Sequence, residues 1–337
     1  MIRRVAAALC SALLLAGCGQ SAAPAQRSAD AAGYPLTVPN CGRDVVVDAP
    51  PARAVSLNQG STEILLSLGL AERMVGTATW TDPIRPDLAA ANARVPRLAV
   101  NKPALETVLD TEPDFVTASF AGTLGPGGVA DRDEFDKLGV PTYLAPSDCV
   151  GKAAGSADGT RTAPLTMEPV YDEIRDLATI FDVSDRGAEL TAQLRRRMTE
   201  ARTVADVDIA FWFSDIRAPY MAGCCGAPGI IAATVGARNV FADTTDEWPQ
   251  VSWEAVAARD PDVLVLADLS RRTIEGDSLA TKFQFLESNP VTARLTAVRE
   301  KRYIVVNGAD LNPSIRTVDG AEKVAQRLRE LGFATGT

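Results

Sequence analysis

The 337-residue chain writes one short passage twice. "ALETVLDTEPDFVT" runs from Ala104 to Thr117, and "SWEAVAARDPDVLVLA" from Ser252 to Ala267. Each copy holds a glutamate (Glu106, Glu254), a valine two residues later, an acidic-Pro-Asp triplet beginning six residues on, and then an apolar run. Proline stops the short helical pattern, and a brief apolar run bounded by such breakers has the length of a buried strand. The passage is therefore a helix leading into a strand. Its recurrence 148 residues further on predicts two α/β lobes of similar design.

The remaining patterning agrees. "YPLTVPNCGRDVVVD" alternates like a short hairpin with its turn at Asn40-Cys41-Gly42-Arg43. From "AVSLN" to "PTYLAP", four apolar strands alternate with helices, the pattern of a parallel sheet covered on its faces. The first of those helices is expected to be capped by Ser61/Thr62 and to stop at Gly69. "MEPVYDEIRDLATIF" and then "SDRGAELTAQLRRRMTEART" are helical, the second with Ser184 as N-cap. At about 30 Å for ~20 residues, that second helix is long enough to bridge two lobes. Alternation resumes with "DIAFWFS", "YMAG", "GIIAATVGA", the second copy of the repeat, "FLESNPVTARL", "RYIVVN" and an amphipathic terminal helix. One large doubly wound sheet would share this periodicity, but the repeat and the long central helix favour two Rossmann-like α/β lobes. The divisions expected are 34–182, a linking helix at 183–204, and 205–337.

The front end belongs to no lobe. Arg3 and Arg4 precede 13 apolar residues, too few to span a bilayer, which end in "LAGC" at Cys18 and a polar tether. This predicts a lipoprotein signal at 1–17, a lipid on the Cys18 sulfur, and a flexible tether over 18–33. Removing the signal leaves 32 basic residues against 43 acidic, a balance of −11 without a dominant basic patch, which argues against nucleic acid as a partner. Four cysteines remain in an oxidising setting: Cys41, Cys149, Cys224 and Cys225. Position favours Cys41–Cys149 with an adjacent-residue bridge at Cys224–Cys225; the alternative joins each of that pair to Cys41 or Cys149. The chain has no histidine. That removes Ser-His-Asp and Cys-His triads and histidine-based metal ligation, and tilts the reading from enzyme toward binder. No metal site and no resident cofactor are expected.

In such folds the cleft walls come from loops after the carboxyl ends of the strands. The segments at those exits include Asn58-Gln59, Thr79-Trp80-Thr81, Ser119-Phe120 and Pro146-Ser147. The second half adds Trp212 to Tyr220, Gly223 to Pro228, Trp248, Ser270-Arg271 and Asn307 to Arg316. Trp80, Trp212 and Trp248 at such exits, in a chain only 6% aromatic, suggest a flat or ring-bearing ligand. Arg85, Arg217, Arg271 and Arg316 could neutralise an anionic one. "GCCGAPG" lacks the spacing of a phosphate cradle and reads as a tight loop lining the cleft.

The layout resembles the substrate-binding lipoproteins of ABC importers for ferric siderophores and cobalamin. The resemblance rests on "RAVSLNQGSTEILLSLGLAERMVGTA", "PALETVLDTEPDFV" and "WPQVSWEAVAARDPDVLVLA", and extends from about Tyr34 to Gly332. It implies two lobes joined by one long helix, with the ligand between them and no catalysis. It further implies a monomer on the outer face of the cytoplasmic membrane, held there by its lipid alone, which delivers cargo to a permease dimer with its ATPase subunits. Glu106 and Glu254 match the positions at which such proteins dock onto permease arginines. A ferric-siderophore-type chelate is the expected ligand. Cobalamin and haem are the runners-up, haem needing Tyr143, Tyr220, a Met or a Cys as axial ligand. "WPQVS" looks like the cobalamin-binding members, and Val100 stands where some hydroxamate-siderophore relatives carry an arginine. A secreted carboxylate-dependent enzyme on the same scaffold is the rival of another class, and a sensor that lost transport is a third reading.

Overall fold

The structure, a computed structural model, describes residues 33–80, 82–153 and 159–336. The signal at 1–17, the lipid site Cys18, nearly all of the tether and Thr81 lie outside the described residues.

The first half runs β1 (Leu36–Asn40), β2 (Arg43–Val47), β3 (Ala54–Ser56), α1 (Gln59–Ser67), β4 (Met74–Ala78), α2 (Ala89–Asn92), β5 (Arg97–Ala99), α3 (Leu105–Leu109), β6 (Phe115–Ala118), α4 (Arg132–Lys137) and β7 (Thr142–Leu144). Two packed helices follow, α5 (Glu168–Ile180) and α6 (Ser184–Glu200). The second half runs β8 (Thr203–Ala205), β9 (Asp208–Trp212), α7 (Ala227–Val235), β10 (Arg238–Asn239), α8 (Trp253–Arg259), β11 (Val263–Asp268), α9 (Leu279–Ser288), α10 (Thr296–Arg299), β12 (Tyr303–Asn307), α11 (Arg316–Glu330) and β13 (Ala334–Gly336).

β1 and β2 form the expected hairpin. Asn40 pairs with Arg43, and Cys41 and Gly42 both take positive φ (52° and 82°), as a two-residue primed turn requires. One all-parallel sheet has the order β5-β4-β3-β6-β7, the other β10-β9-β11-β12. Superimposing β9 on β3 makes the second order the first without its outermost strand. The duplicated passage thus occupies one topological place: α3 enters β6 and α8 enters β11, each strand lying between the first strand of its parallel sheet and the last. A doubled lobe explains the doubled sequence.

Each sheet is buried on both faces, so alternate residues of one strand enter different cores. Ala54 and Phe115 join the core under α5, whereas Val55 and Val116 join the one on the opposite face. In β9, Ile209 and Phe211 point one way, Ala210 and Trp212 the other. Met198 of α6 packs against a core of each half, so this helix carries the chain from one lobe to the other.

Three local expectations change. Helix α1 begins at Gln59 with Asn58 before it, because the Ser61 and Thr62 hydroxyls turn inward and bond Asn58 O (3.2 and 2.8 Å). Ser184 is the first residue of α6 and makes no cap. "YMAG" contributes only single bridges, Tyr220 to Gln250 and Met221 to Trp212. The expected stop at Gly69 holds, with φ of 73°, and Gly139 and Gly236 follow α4 and α7 in the same conformation, both with φ of 71°. Bridges join Cys41 to Cys149 and Cys224 to Cys225. No helix among the described residues is long and apolar enough to cross a membrane.

Candidate functional site

In a doubly wound sheet the crevice opens where strand order reverses. Here the reversals lie between β3 and β6 and between β9 and β11. The residues leaving those four strands are Asn58 to Gly60, Ser119-Phe120, Phe213, and Leu269 to Arg271, and two adjoining cavities are built from them. The deeper one, about 160 Å³, is lined by Gln59, Gly60, Trp80, Ser119, Phe213 and Leu269, among others. The outer one, about 320 Å³, takes in Tyr220, Trp248, Ile274, Gly226 and Ala227. Phe120, Phe213, Arg271, Asn312 and Pro313 line both, so this is one cleft. A larger cavity of about 770 Å³ lies between the hairpin and the entry of β7, far from either reversal, and is not taken as the site.

Asn58 builds the first wall. Its Oδ1 accepts from Ser119 N (2.9 Å) and Thr123 Oγ1 (3.1 Å), and Ser119 Oγ accepts from Ser61 N (2.9 Å), which ties the exits of β3 and β6 together. Asp277 builds the second. It is 1% exposed and accepts from Ser214 Oγ (2.6 Å), Thr273 N and Ile274 N (both 2.9 Å), and the Arg271 guanidinium (3.2 Å). Burial would raise its pKa, but the bonds from Arg271, Ser214 and the Ile274 N–H outweigh it and hold the carboxyl low.

Both ends of the cleft are tied across the lobes. At one end Glu63 of α1, fully buried, bonds Arg316 of α11 at 2.6 and 2.7 Å. Arg85 reaches Asp319 at 3.0 and 3.1 Å, and Asp82 accepts from Ser270 N and Ala309 N, both at 2.9 Å. At the other end Arg161, 2% exposed, pairs with Glu247, and Leu165 N bonds Cys225 O. Burial raises the Glu247 pKa against the pull of Arg161 and Lys152.

Of the residues expected at the ligand, the structure brings Trp80, Tyr220, Trp248, Arg271 and Arg316 to the cleft lining. Trp80 is half-buried, bonded to Thr77 Oγ1 (2.9 Å) and covered by the Arg97 guanidinium 3.8 Å from its ring. Trp248 packs on Phe213, ring centres 4.8 Å apart. Arg316 is the first residue of α11 rather than a loop residue.

The other four are placed elsewhere. Trp212 ends β9 with its ring toward α8, fully buried against Trp253 at 4.8 Å, because strand alternation turns it away from the exit. Tyr143 points from β7 to α5, where its hydroxyl bonds Asp176 (2.8 Å). Neither Tyr143 nor Trp212 lines the cleft, which removes Tyr143 as an axial haem ligand. Arg217 projects into solvent, its side chain 87% exposed. Arg85 is consumed by Asp319.

The residues that tie the lobes, Glu63, Asp82, Asp319, Arg161 and Glu247, were not singled out, for their partners lie up to 253 residues away. Lys282 left a readable signal: it falls in register with Leu279 and Leu286 on the inward face of α9. Among the described residues no group of three or more His, Cys, Asp and Glu could hold a metal. Glu106 and Glu254 are exposed, each in the first turn of its helix, and neither makes an ion pair among the described residues.

The profile of a family described as periplasmic binding protein matches residues 55–308. A vitamin B12-binding protein of Vibrio parahaemolyticus is 23% identical, covering 85% of this chain and 92% of its own length. An uncharacterized ABC transporter substrate-binding lipoprotein of Bacillus subtilis is 23% identical over 96% of this chain and 95% of its own. Among solved structures, that of an ABC-type Fe3+-hydroxamate transport system from Saccharomonospora viridis is 27% identical, with a TM-score of 0.68 over 88% of this chain and 99% of that one.

Proposed function

This chain belongs to the periplasmic binding protein family, and on that premise we propose that it captures an uncharged, ring-bearing cargo, a corrinoid such as cobalamin. Its coarse role follows from the family: an extracytoplasmic substrate-binding protein that works with the permease and ATPase components of an ABC importer. The two-lobe fold is that of its solved relatives. We read the lobes as residues 34–182 and 205–337, the helix at 183–204 as the hinge, and Cys18 as the lipid anchor of a monomer.

One observation carries the choice of cargo. Every charged side chain on the cleft lining is already paired within the protein: Glu63 with Arg316, Asp82 with backbone N–H groups, Asp148 with Lys152, Glu247 with Arg161, and Arg271 with Asp277. What remains for a ligand is aromatic and apolar surface from Trp80, Phe120, Phe213, Tyr220 and Trp248. An anionic chelate would lose its hydration without a free cation to replace it, which is costly. The four arginines expected to neutralise a siderophore do not act together, so the reading moves from an anionic iron chelate to a neutral macrocycle. The similarity to vitamin B12-binding proteins supports the same choice.

A second reading is supported by the hydroxamate-transport relative: a ferric trihydroxamate is also uncharged overall. Tryptophan-fluorescence titration with cyanocobalamin, a ferric trihydroxamate, a ferric tricatecholate, ferric citrate and haemin separates these. Quenching by cyanocobalamin at micromolar levels or below is expected, with none by ferric citrate. Tight binding of the citrate or tricatecholate complex, with cyanocobalamin silent, would overturn the proposal.

A further inference from the structure

Lys282 of α9 has no exposed surface, yet it is a lysine among leucines and aromatics. Its Nζ donates to Ala267 O (2.7 Å) and Phe213 O (2.8 Å) and sits 5.1 Å from the centre of the Trp212 ring. Ala267 belongs to β11 and Phe213 directly follows β9, the two strands that flank the second lobe's reversal. One amine therefore joins the exits from which Phe213 and Arg271 enter the cleft. In the first lobe Asn58 makes the corresponding tie with an amide.

We infer that Lys282 is a positioning residue for cargo binding, which clamps the carboxyl ends of β9 and β11 and so places Phe213 and Arg271 in the cleft wall. The inference rests on the cleft being the cargo site. Buried lysines are expensive, and a methionine would fill the same space without an amine; what only a donor supplies here is a bond to two carbonyls that would otherwise be orphaned. The surroundings suit an amine near its titration point. Asp277 from the preceding loop and Asp268 at the end of β11 attract its charge, Arg271 and Arg272 after β11 repel it, and β9 offers the Trp212 ring, itself packed on Trp253 of α8. Burial dominates and brings the amine down to about 7. A neutral amine still has two N–H groups for two carbonyls, so the clamp outlasts the proton.

Lys282→Met and Lys282→Gln in the full chain test this, with cyanocobalamin as the probe. Methionine removes both donors, whereas the glutamine amide keeps two. Lys282→Met is expected to weaken binding by about tenfold or more, the size of leaving buried acceptors unpaired, and Lys282→Gln to recover part of that loss. The unliganded proteins give an independent reading. The near-UV circular dichroism of the Trp212/Trp253 and Phe213/Trp248 pairs should change in the methionine variant and move back in the glutamine one. Wild-type tryptophan fluorescence should titrate near pH 7 and lose that step in both variants, since the chain has no histidine and the core around Glu173 has no tryptophan. Failure of the wild type to bind cyanocobalamin would overturn the corrinoid reading alone. An unchanged near-UV spectrum in Lys282→Met, or binding as tight as wild type, would overturn the clamp.

Discussion

Glu173 on α5 is 1% exposed, and its Oε1 has no hydrogen-bond partner among the described residues. Burial first, and then the nearby Asp176 carboxylate, push its pKa up to about 8. With no histidine, response to pH near neutrality falls to displaced groups such as this one. The folded chain holds the proton more tightly than the unfolded chain, so the stabilisation is complete below about 4.5 and is lost as pH rises through about 8. Glu173→Gln should flatten that decline in melting temperature while leaving the acid side unchanged; a variant with the wild-type slope would refute the assignment. Glu63 and Arg316 make the opposite case, a buried pair whose charges are kept. Burial would lower the Arg316 pKa, but the Glu63 carboxylate overrides it and the net direction is up. Arg316→Leu strands the Glu63 charge and should cost about 3–5 kcal/mol, read by denaturant unfolding. A loss well under 1 kcal/mol would mean that water reaches Glu63.

At the scale of elements, α5 and α6 meet where Gly187 leaves room. A methyl group there would fall on the Ala178 Cβ and within 3.5 Å of Ile174 O. Gly187→Ala would raise helix propensity in isolation, yet overpacking should dominate, with a net loss of about 1–3 kcal/mol. Calorimetry on the purified domain decides the sign. The patterns of these elements were mostly legible, because hydrophobic period and breaker residues act locally. Gly69 ends its helix as read, and the hairpin turns at Cys41-Gly42. Caps were read less well. Ser61, Thr62 and Ser184 are good cap residues by type, but whether a hydroxyl caps or turns inward depends on what packs against it.

Taken whole, the molecule presents two similar lobes, and the first helical turn of the repeated passage offers an exposed carboxylate on each, Glu106 and Glu254. We propose that these dock on the permease, since charge-assisted pairs with arginine can read the spacing set by the lobes. Reversing both to arginine should abolish cargo uptake in cells while leaving the fluorescence titration unchanged. Uptake that survives the double reversal would place docking elsewhere. The ties at the two ends of the cleft, through Glu63, Asp82, Arg85 and Arg161, join the lobes by bonds that span 253 residues in the longest case.

By itself the sequence determined the doubled α/β plan, the helix between the lobes and the strand exits that face the cleft, because these follow from short-range periodicity and from one passage written twice. Only the tertiary structure decided which exit residues line the cleft. Trp212 and Tyr143 turned into cores by the alternation of strand faces, and Arg85 and Arg316 were taken up by carboxylates from the other lobe. A side chain's charge is local, but its partner is set by the fold, as the pairing of Glu63 with Arg316 and of Arg161 with Glu247 shows.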